Sequence, residues 1–484
     1  MAESLTKRTV RGVAWTLPTS LGSRVVGLIG TLLLARYLAP AEYGEVMAAQ
    51  IVTLIAFSTT TFGVGIYLLA NRDLTRADVF HATCWFNVTG VVALAAVWAG
   101  SGLIGDWLDA PNLVEYVPLF VLSLLLDRIA YVPERMLIRK LRFRWLSIAR
   151  AAGELTFTGV SLGLARAGHG AMAIVWGSVA RSGLRFVAII AAVGWREWIE
   201  PHRLHLATLM KIIRTGVTIS VAGIATLLQR RGDNLLVSVF FGNATMGTYN
   251  FAYNLADTPA AAVGEQLSDV VAASFPHAEG AKRQAAVVRA ATMTSLIMFP
   301  LAFGLGAVAE TAVAAFFDQK WAGVGGMLML LSIVSAPRPI AHILHSYFFA
   351  CQRLRVVLWQ EWLSLAILMA AIATIGQVDI HWTCAAVGIA FVLRTLMLMW
   401  VVQRLDGIPI SRFLVPLIRP LVACLLMVAA ILVARPALAD LRPIVRLCVE
   451  VAIGAAVYLA GARLIFRAAA AELIGMVRSA VFRR

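Results

Sequence analysis

Polar stretches are what this sequence has least of. Between its apolar segments no run is long enough to fold as a soluble domain. The longest segment expected on the outer face covers only about residues 105–114. That excludes an appended catalytic domain or nucleic-acid module, so any function must live among the apolar segments. Cysteine is sparse: Cys84, Cys351, Cys384, Cys424 and Cys448 stand apart and form no CxxC pair. They read as small buried hydrophobes, which leaves no redox or thiolate-metal motif. The eight histidines are scattered. His342 and His345 lie three apart with no Glu or Cys beside them, so no metal site is expected. The GVGG fragment at 323–326 lacks the strand–turn–helix setting of a phosphate loop, and no cofactor is expected. Asn87-Val88-Thr89 falls inside an apolar run and is set aside as a glycosylation signal, as is Asn243-Ala244-Thr245.

What remains is hydrophobic. The chain is 60% hydrophobic with a mean hydropathy of +0.82. A spanning helix needs about 20 apolar residues. Fourteen candidates are expected, at roughly 11–36, 43–70, 79–104, 114–137, 146–166, 171–194, 212–240, 247–273, 287–310, 322–349, 357–377, 380–402, 414–434 and 444–466. The fold class is therefore an all-α polytopic membrane protein. The basic start, MAESLTKRTVRG, runs into the first apolar stretch without an A-x-A-like site and reads as an uncleaved first span.

Charge is scarce, at 14% of residues, and one-sided: 42 Lys+Arg against 26 Asp+Glu, a net +16. Most Lys and Arg fall on alternate loops, including Arg139, Lys140, Arg142, Arg144, Lys282, Arg283, Arg353, Arg355 and the C-terminal Arg478, Arg483 and Arg484. The opposite loops receive Arg36, Arg166, Lys320, Arg435 and Arg442. The positive-inside rule then puts both termini in the cytoplasm.

Eleven arginines do not fit the loops: Arg24, Arg128, Arg150, Arg181, Arg185, Arg230, Arg231, Arg338, Arg394, Arg419 and Arg446. At a helix centre each costs at least about 2.5–3.5 kcal/mol, so such residues face a cavity or a partner. Eight acids are embedded with them: Asp127, Glu154, Asp233, Asp257, Glu265, Asp269, Glu361 and Glu450.

The chain echoes itself. LLLARYLAPAEYG at 32–44 and LLVSVFFGNATMGTYN at 235–250 both close a long apolar run with a small-residue turn and a glycine. ERMLIRKLRFRWLSIAR at 134–150 and SYFFACQRLRVVLWQEW at 346–362 both join two apolar runs through a basic turn. Two six-helix lobes, 1–200 and 201–405, followed by two extra helices and a basic tail at 406–484, are the simplest account.

LARYLAPAEYG (34–44), RKLRFRWLSIAR (139–150) and FGNATMGTYNFAYNLADTPAAAVGEQLSDVVAASFP (241–276) resemble the polysaccharide flippases of the multidrug/oligosaccharidyl-lipid/polysaccharide exporter superfamily. The resemblance covers the whole chain and is weakest in the last two helices. It implies two lobes around a cationic cavity, alternating access, and a bacterial inner-membrane location. It also implies a substrate, undecaprenyl-pyrophosphate-linked oligosaccharide, carried to the periplasmic leaflet for exopolysaccharide or lipopolysaccharide synthesis. Membrane lipids, and a polymerase or export machinery, are the other expected partners. The chemistry agrees, because arginine matches phosphate with bidentate hydrogen bonds and stays charged.

The expected substrate-binding arginines are Arg24, Arg181, Arg185, Arg231, Arg338 and Arg394. Arg24 lies mid-span near Pro18 and Gly22. Arg181 and Arg185 share a helix face. Arg231 is expected to point away from an Arg230–Asp233 pair. Arg338 sits between Pro337 and Pro339, where the helix should kink. Asp257, Glu265 and Asp269 are expected as counter-charges for the first or seventh span, or as an ion-coupling site. Arg150 and Glu154 stand at i,i+4, Asp127 and Arg128 are adjacent and so point apart, and all four are read as structural bridging residues. No catalytic residue is expected, and the chain is not read as an enzyme. A lipid II flippase is an alternative. A cation-coupled multidrug antiporter fits less well, since the first six spans set five arginines against two acids. A membrane glycosyltransferase or polymerase of the same pathway is the alternative from another class.

Overall fold

A computed structural model of the chain describes residues 22, 26, 27, 29–71, 73–194, 197–259 and 280–467. Among them there is no strand. After a short helical stretch, α1 (29–34), the helices are α2 (Pro40–Thr59), α3 (Val64–Ala70), α4 (Arg76–Ala99), α5 (Ser101–Trp107), α6 (Leu113–Arg139), α7 (Phe143–Arg166) and α8 (Met172–Ala192). They continue as α9 (Leu206–Pro259), α10 (Gly280–Phe316), α11 (Val324–Ser335), α12 (Arg338–Ala350), α13 (Leu354–Thr374), α14 (Ile380–Asp406), α15 (Ser411–Ala434) and α16 (Pro443–Ile465).

Local chemistry sets several of these ends. Thr75 and Asp78 form a capping box at the start of α4, each side chain taking the other's backbone N–H. Asp379 caps α14 by accepting from the His381 N–H, and Gly407 closes it at φ 68°. The His381 backbone N–H and imidazole hold the Asp379 carboxyl below the usual carboxylate range. The expected span at 43–70 is broken: α2 stops at Thr59 and α3 restarts after Gly63, at φ 67°. The one expected at 322–349 is present as Val324–Ala350, with a turn inside it where the kink was expected. α11 ends at Ser335, and Pro337 precedes the fresh start at Arg338. A proline inside a continuous helix would remove a backbone bond and clash with the preceding turn. α9 bends at Gly242 (φ 78°, ψ 171°), between the expected seventh and eighth spans.

Among the described residues, eight helices are long and apolar enough to cross a bilayer. The fourteen expected spans exceed that count. α6 and α7 match the eight in length but carry Asp127, Arg128, Glu134, Arg150 and Glu154.

The chain packs as two compact units, Met1–Gly247 and Thr248–Arg484. In the first, Tyr67, Leu68, Phe86, Val132 and Ile189 belong to one buried core. In the second, Ile343, Leu344, Phe348, Leu398, Val402 and Phe413 do so. Large apolar side chains also point outward, among them Leu103, Trp359, Val433 and Leu464. Lipid tails are as apolar as leucine, so in a bilayer these carry no penalty.

The basic turns at 139–142 and 350–353 are built alike. Arg142 N–H bonds to Leu137 O and Leu141 N–H to Ile138 O, with Leu141 at φ 56°. Arg353 N–H bonds to Phe348 O and Gln352 N–H to Phe349 O, with Gln352 also at φ 56°. Both are helix ends of the six-to-one type, with a non-glycine residue in the left-handed position.

Candidate functional site: arginines held on carboxylates

In the first unit the charges gather on α6, α7 and α8. Asp127 and Glu134 lie seven residues apart on α6, two turns along one face. Arg150 and Glu154 come from α7, Arg181 and Arg185 from α8. Arg185 reaches both α6 acids, with Nη1 3.2 Å from Asp127 Oδ1 and Nη2 3.2 Å from Glu134 Oε2. Arg150 Nη2 takes the other Glu134 oxygen at 2.7 Å. Arg181 Nη1 stands 3.5 Å from Glu154 Oε1, over the Phe157 ring. Ser182 donates to Asp127 Oδ2 at 2.9 Å. Gly153 on α7 leaves room for the Arg181 and Arg185 stems; a Cβ there would sit 2.9 Å from Arg185 Cγ. Three arginines therefore face three acids. The expected surplus of positive charge disappears here because Glu134, buried with the site, is a third acid that the expected tally of two omitted. Arg150 and Glu154 do not pair with each other; each reaches across to a neighbouring helix instead.

Arg128 is separate. It is fully buried and, among the described residues, faces no carboxylate. Its Nε donates to Phe86 O at 2.7 Å, Nη1 to Phe57 O and Thr60 Oγ1, and Nη2 to Thr60 O at 2.9 Å. Phe57 and Thr60 lie at the C-terminal end of α2, where carbonyls lack helical partners and the dipole is negative. The guanidinium also lies 3.9 Å from the centre of the Phe86 ring. Gly90 makes this possible, since a Cβ there would fall on the Arg128 side chain.

In the second unit, Arg338 Nη1 bonds to Asp257 Oδ1 at 2.8 Å and lies over the Tyr253 and Phe391 rings. Arg394 Nη2 bonds to Glu361 Oε1 at 2.7 Å, and the Glu361 side chain is 1% exposed. With the Gln360 amide oxygen turned toward Arg394, it accepts from Nε at 3.0 Å. Glu450, also fully buried, accepts from Arg446 at 3.1 Å and faces Arg435 Nε at 3.5 Å. Arg353 grips Asp406 with two bonds of 2.7 and 2.8 Å, which raise its own pKa. An apolar cavity of about 470 Å³ lies between α10, α15 and α16, lined by Leu301, Gly304, Met427, Ile431, Val451 and Tyr458 among others.

Of the expected substrate-binding arginines, Arg181, Arg185, Arg338 and Arg394 are held on acids. Arg231 is half-buried, and among the described residues no carboxylate lies within ion-pair distance of it. Arg24, Glu265 and Asp269 lie outside the described residues. Asp257 meets Arg338 of α12, where the sequence pointed to the first or seventh span. Arg446 bonds to the buried Glu450. Among the described residues no group of acids, histidines and cysteines could hold a metal. Two site residues were missed. Glu134 could have been found from its i,i+7 spacing to Asp127. His345, which meets Glu361, has no local signal, because the two lie on different helices.

Paired arginines buried among long apolar helices define a polytopic membrane protein whose interior handles charge. Solved structures share this fold. A lipid II flippase, MurJ, matches with a TM-score of 0.74 over 93% of this chain and 98% of its own, at 14% identity. A multidrug resistance transporter of the MATE family matches with a TM-score of 0.63 over 79% and 95%, at 11% identity. The polysaccharide biosynthesis protein family matches residues 33–325, more than half of the chain, and the chain belongs to that family. Similar relatives include the lipopolysaccharide biosynthesis protein WzxC of Escherichia coli (strain K12), 22% identical over 73% of this chain and 72% of that one. Another is the succinoglycan biosynthesis transport protein ExoT of Rhizobium meliloti (strain 1021), 23% identical over 87% and 85%.

Proposed function

We propose that the chain is a flippase that carries undecaprenyl-pyrophosphate-linked oligosaccharide from the cytoplasmic to the periplasmic leaflet of the bacterial inner membrane. It works by alternating access of two six-helix lobes, 1–200 and 201–405, with both termini cytoplasmic and the helices of 406–484 added to the second. It moves its substrate without chemical change. The observation that carries this reading is the set of arginines held on carboxylates inside a family of polysaccharide biosynthesis proteins. A pyrophosphate cannot enter hydrocarbon unaided, and Arg181, Arg185, Arg338 and Arg394 can release an acid to take phosphate oxygens, which a guanidinium matches by bidentate hydrogen bonds. Arg231 and Arg24 belong to the same path. The apolar cavity by Met427 and Tyr458 suits an isoprenoid chain in composition. The test is deletion in the bacterium that encodes the protein. Lipid-linked oligosaccharide should accumulate on the cytoplasmic leaflet and surface polysaccharide should fall, with both restored by the wild-type chain. Unchanged intermediates and surface polysaccharide on deletion would contradict the proposal.

A further inference from the structure

His345 and Arg394 compete for one oxygen. Glu361 Oε1 accepts from Arg394 Nη2 at 2.7 Å, and His345 Nε2 stands 3.3 Å from the same atom. The residues come from three consecutive helices, α12, α13 and α14. Glu361 is essentially sealed, while His345 and Arg394 each keep a fraction of surface, 26% and 14%. The charged groups facing the imidazole are Glu361 from α13 and Arg394 from α14. The Phe349 ring packs 5.8 Å away, and His342 lies one turn back on its own helix. A buried carboxylate that loses its cation is left at high cost, so the release of Arg394 by Glu361 is eased when another cation takes its place. Histidine is the side chain that can supply one by taking a proton near neutral pH.

From this geometry we propose that His345 is a proton-coupling residue, protonated as Arg394 leaves Glu361 for an anionic pyrophosphate headgroup. The proton comes from water and completes the imidazolium, whose Nε2–H donates to Glu361 Oε1. When the headgroup departs, Arg394 returns to Glu361 and the proton goes back to water. Net charge around Glu361 is conserved at both stages: an N–H bond forms on the imidazole as an O–H bond of a solvent hydronium breaks, and the reverse occurs on release. This rests on the proposed function, in that Arg394 must engage the headgroup.

The experiment measures binding of UDP-glucose, a soluble pyrophosphate diester carrying a sugar, to the purified full-length protein in lipid nanodiscs by calorimetry. Its phosphates do not titrate between about pH 6 and about pH 8, where an ordinary histidine does. Two buffers of different ionisation enthalpy report protons taken up. Wild type should take up a proton fraction on binding that is largest where His345 is neutral in the free protein, and its affinity should rise several-fold as pH falls. His345→Gln should bind several-fold more weakly, without uptake. His345→Lys, with a permanent cation, should bind without uptake and with little pH dependence. Binding that Arg394→Gln weakens but that takes up no proton in wild type would overturn the coupling role and leave the flippase reading standing. Binding indifferent to Arg394→Gln, or none in wild type, would overturn the headgroup role of Arg394 and the coupling with it. Uptake that persists in a folded His345→Gln would assign the proton to another group and reject His345.

Discussion

At the scale of the residue, embedded arginines are satisfied in two ways. Arg128 meets carbonyls and hydroxyls at a helix end, while Arg185, Arg338 and Arg394 meet carboxylates. Replacing Arg128 by Leu would strand several buried acceptors, each worth about 1–3 kcal/mol, and we expect a loss of at least about 3 kcal/mol in a thermal melt of the solubilised protein. Gly90→Ala should destabilise through the same contact by about 1–3 kcal/mol. The Arg181–Glu154 contact is the longest of the ion pairs among the described residues of the first unit, and both side chains are partly exposed. Glu154→Gln should therefore fold normally and bind a pyrophosphate diester a few-fold more tightly, because Arg181 loses its competitor; weaker binding would place Arg181 off the path. The embedded arginines could be read from the sequence because charge in an apolar run is conspicuous. Their partners could not be read, because Glu361 with Arg394 and Asp257 with Arg338 are matched by the packing of separate helices. Glu134 escaped notice because it sits at the edge of its span, next to Pro133 and a basic run.

At the scale of the element, helical character was legible along most of the chain, though not the helix ends, since apolar runs of this length permit little else. The breaks at Thr60–Gly63 and Ala336–Pro337 were less so. Pro337 and Pro339 signalled the second, whereas Gly63 gave only a weak hint of the first. The basic turns were visible as an echo, but not their shared left-handed residue. Gln352 holds that position with an exposed side chain that forgoes little on removal. Gln352→Gly should raise stability by about 1 kcal/mol, read as a higher melting temperature. Arg353→Ala, three atoms of backbone further on, should lower it by about 1–3 kcal/mol by removing both bonds to the half-buried Asp406.

At the scale of the whole molecule, membership of the polysaccharide biosynthesis family and the arginines held on carboxylates both suit the proposed function. A permanently cationic path would hold a pyrophosphate too tightly to release it, whereas arginines that return to carboxylates would let the headgroup go. Substitution of either partner should therefore impair transport, for opposite reasons: loss of the arginine removes capture, and loss of the acid slows release. The most direct measurement is the amount of lipid-linked oligosaccharide on the cytoplasmic leaflet of a deletion strain carrying Arg394→Gln at wild-type membrane levels. The account predicts accumulation of the intermediate and loss of surface polysaccharide, as in the deletion itself. Normal surface polysaccharide with no accumulation would contradict it.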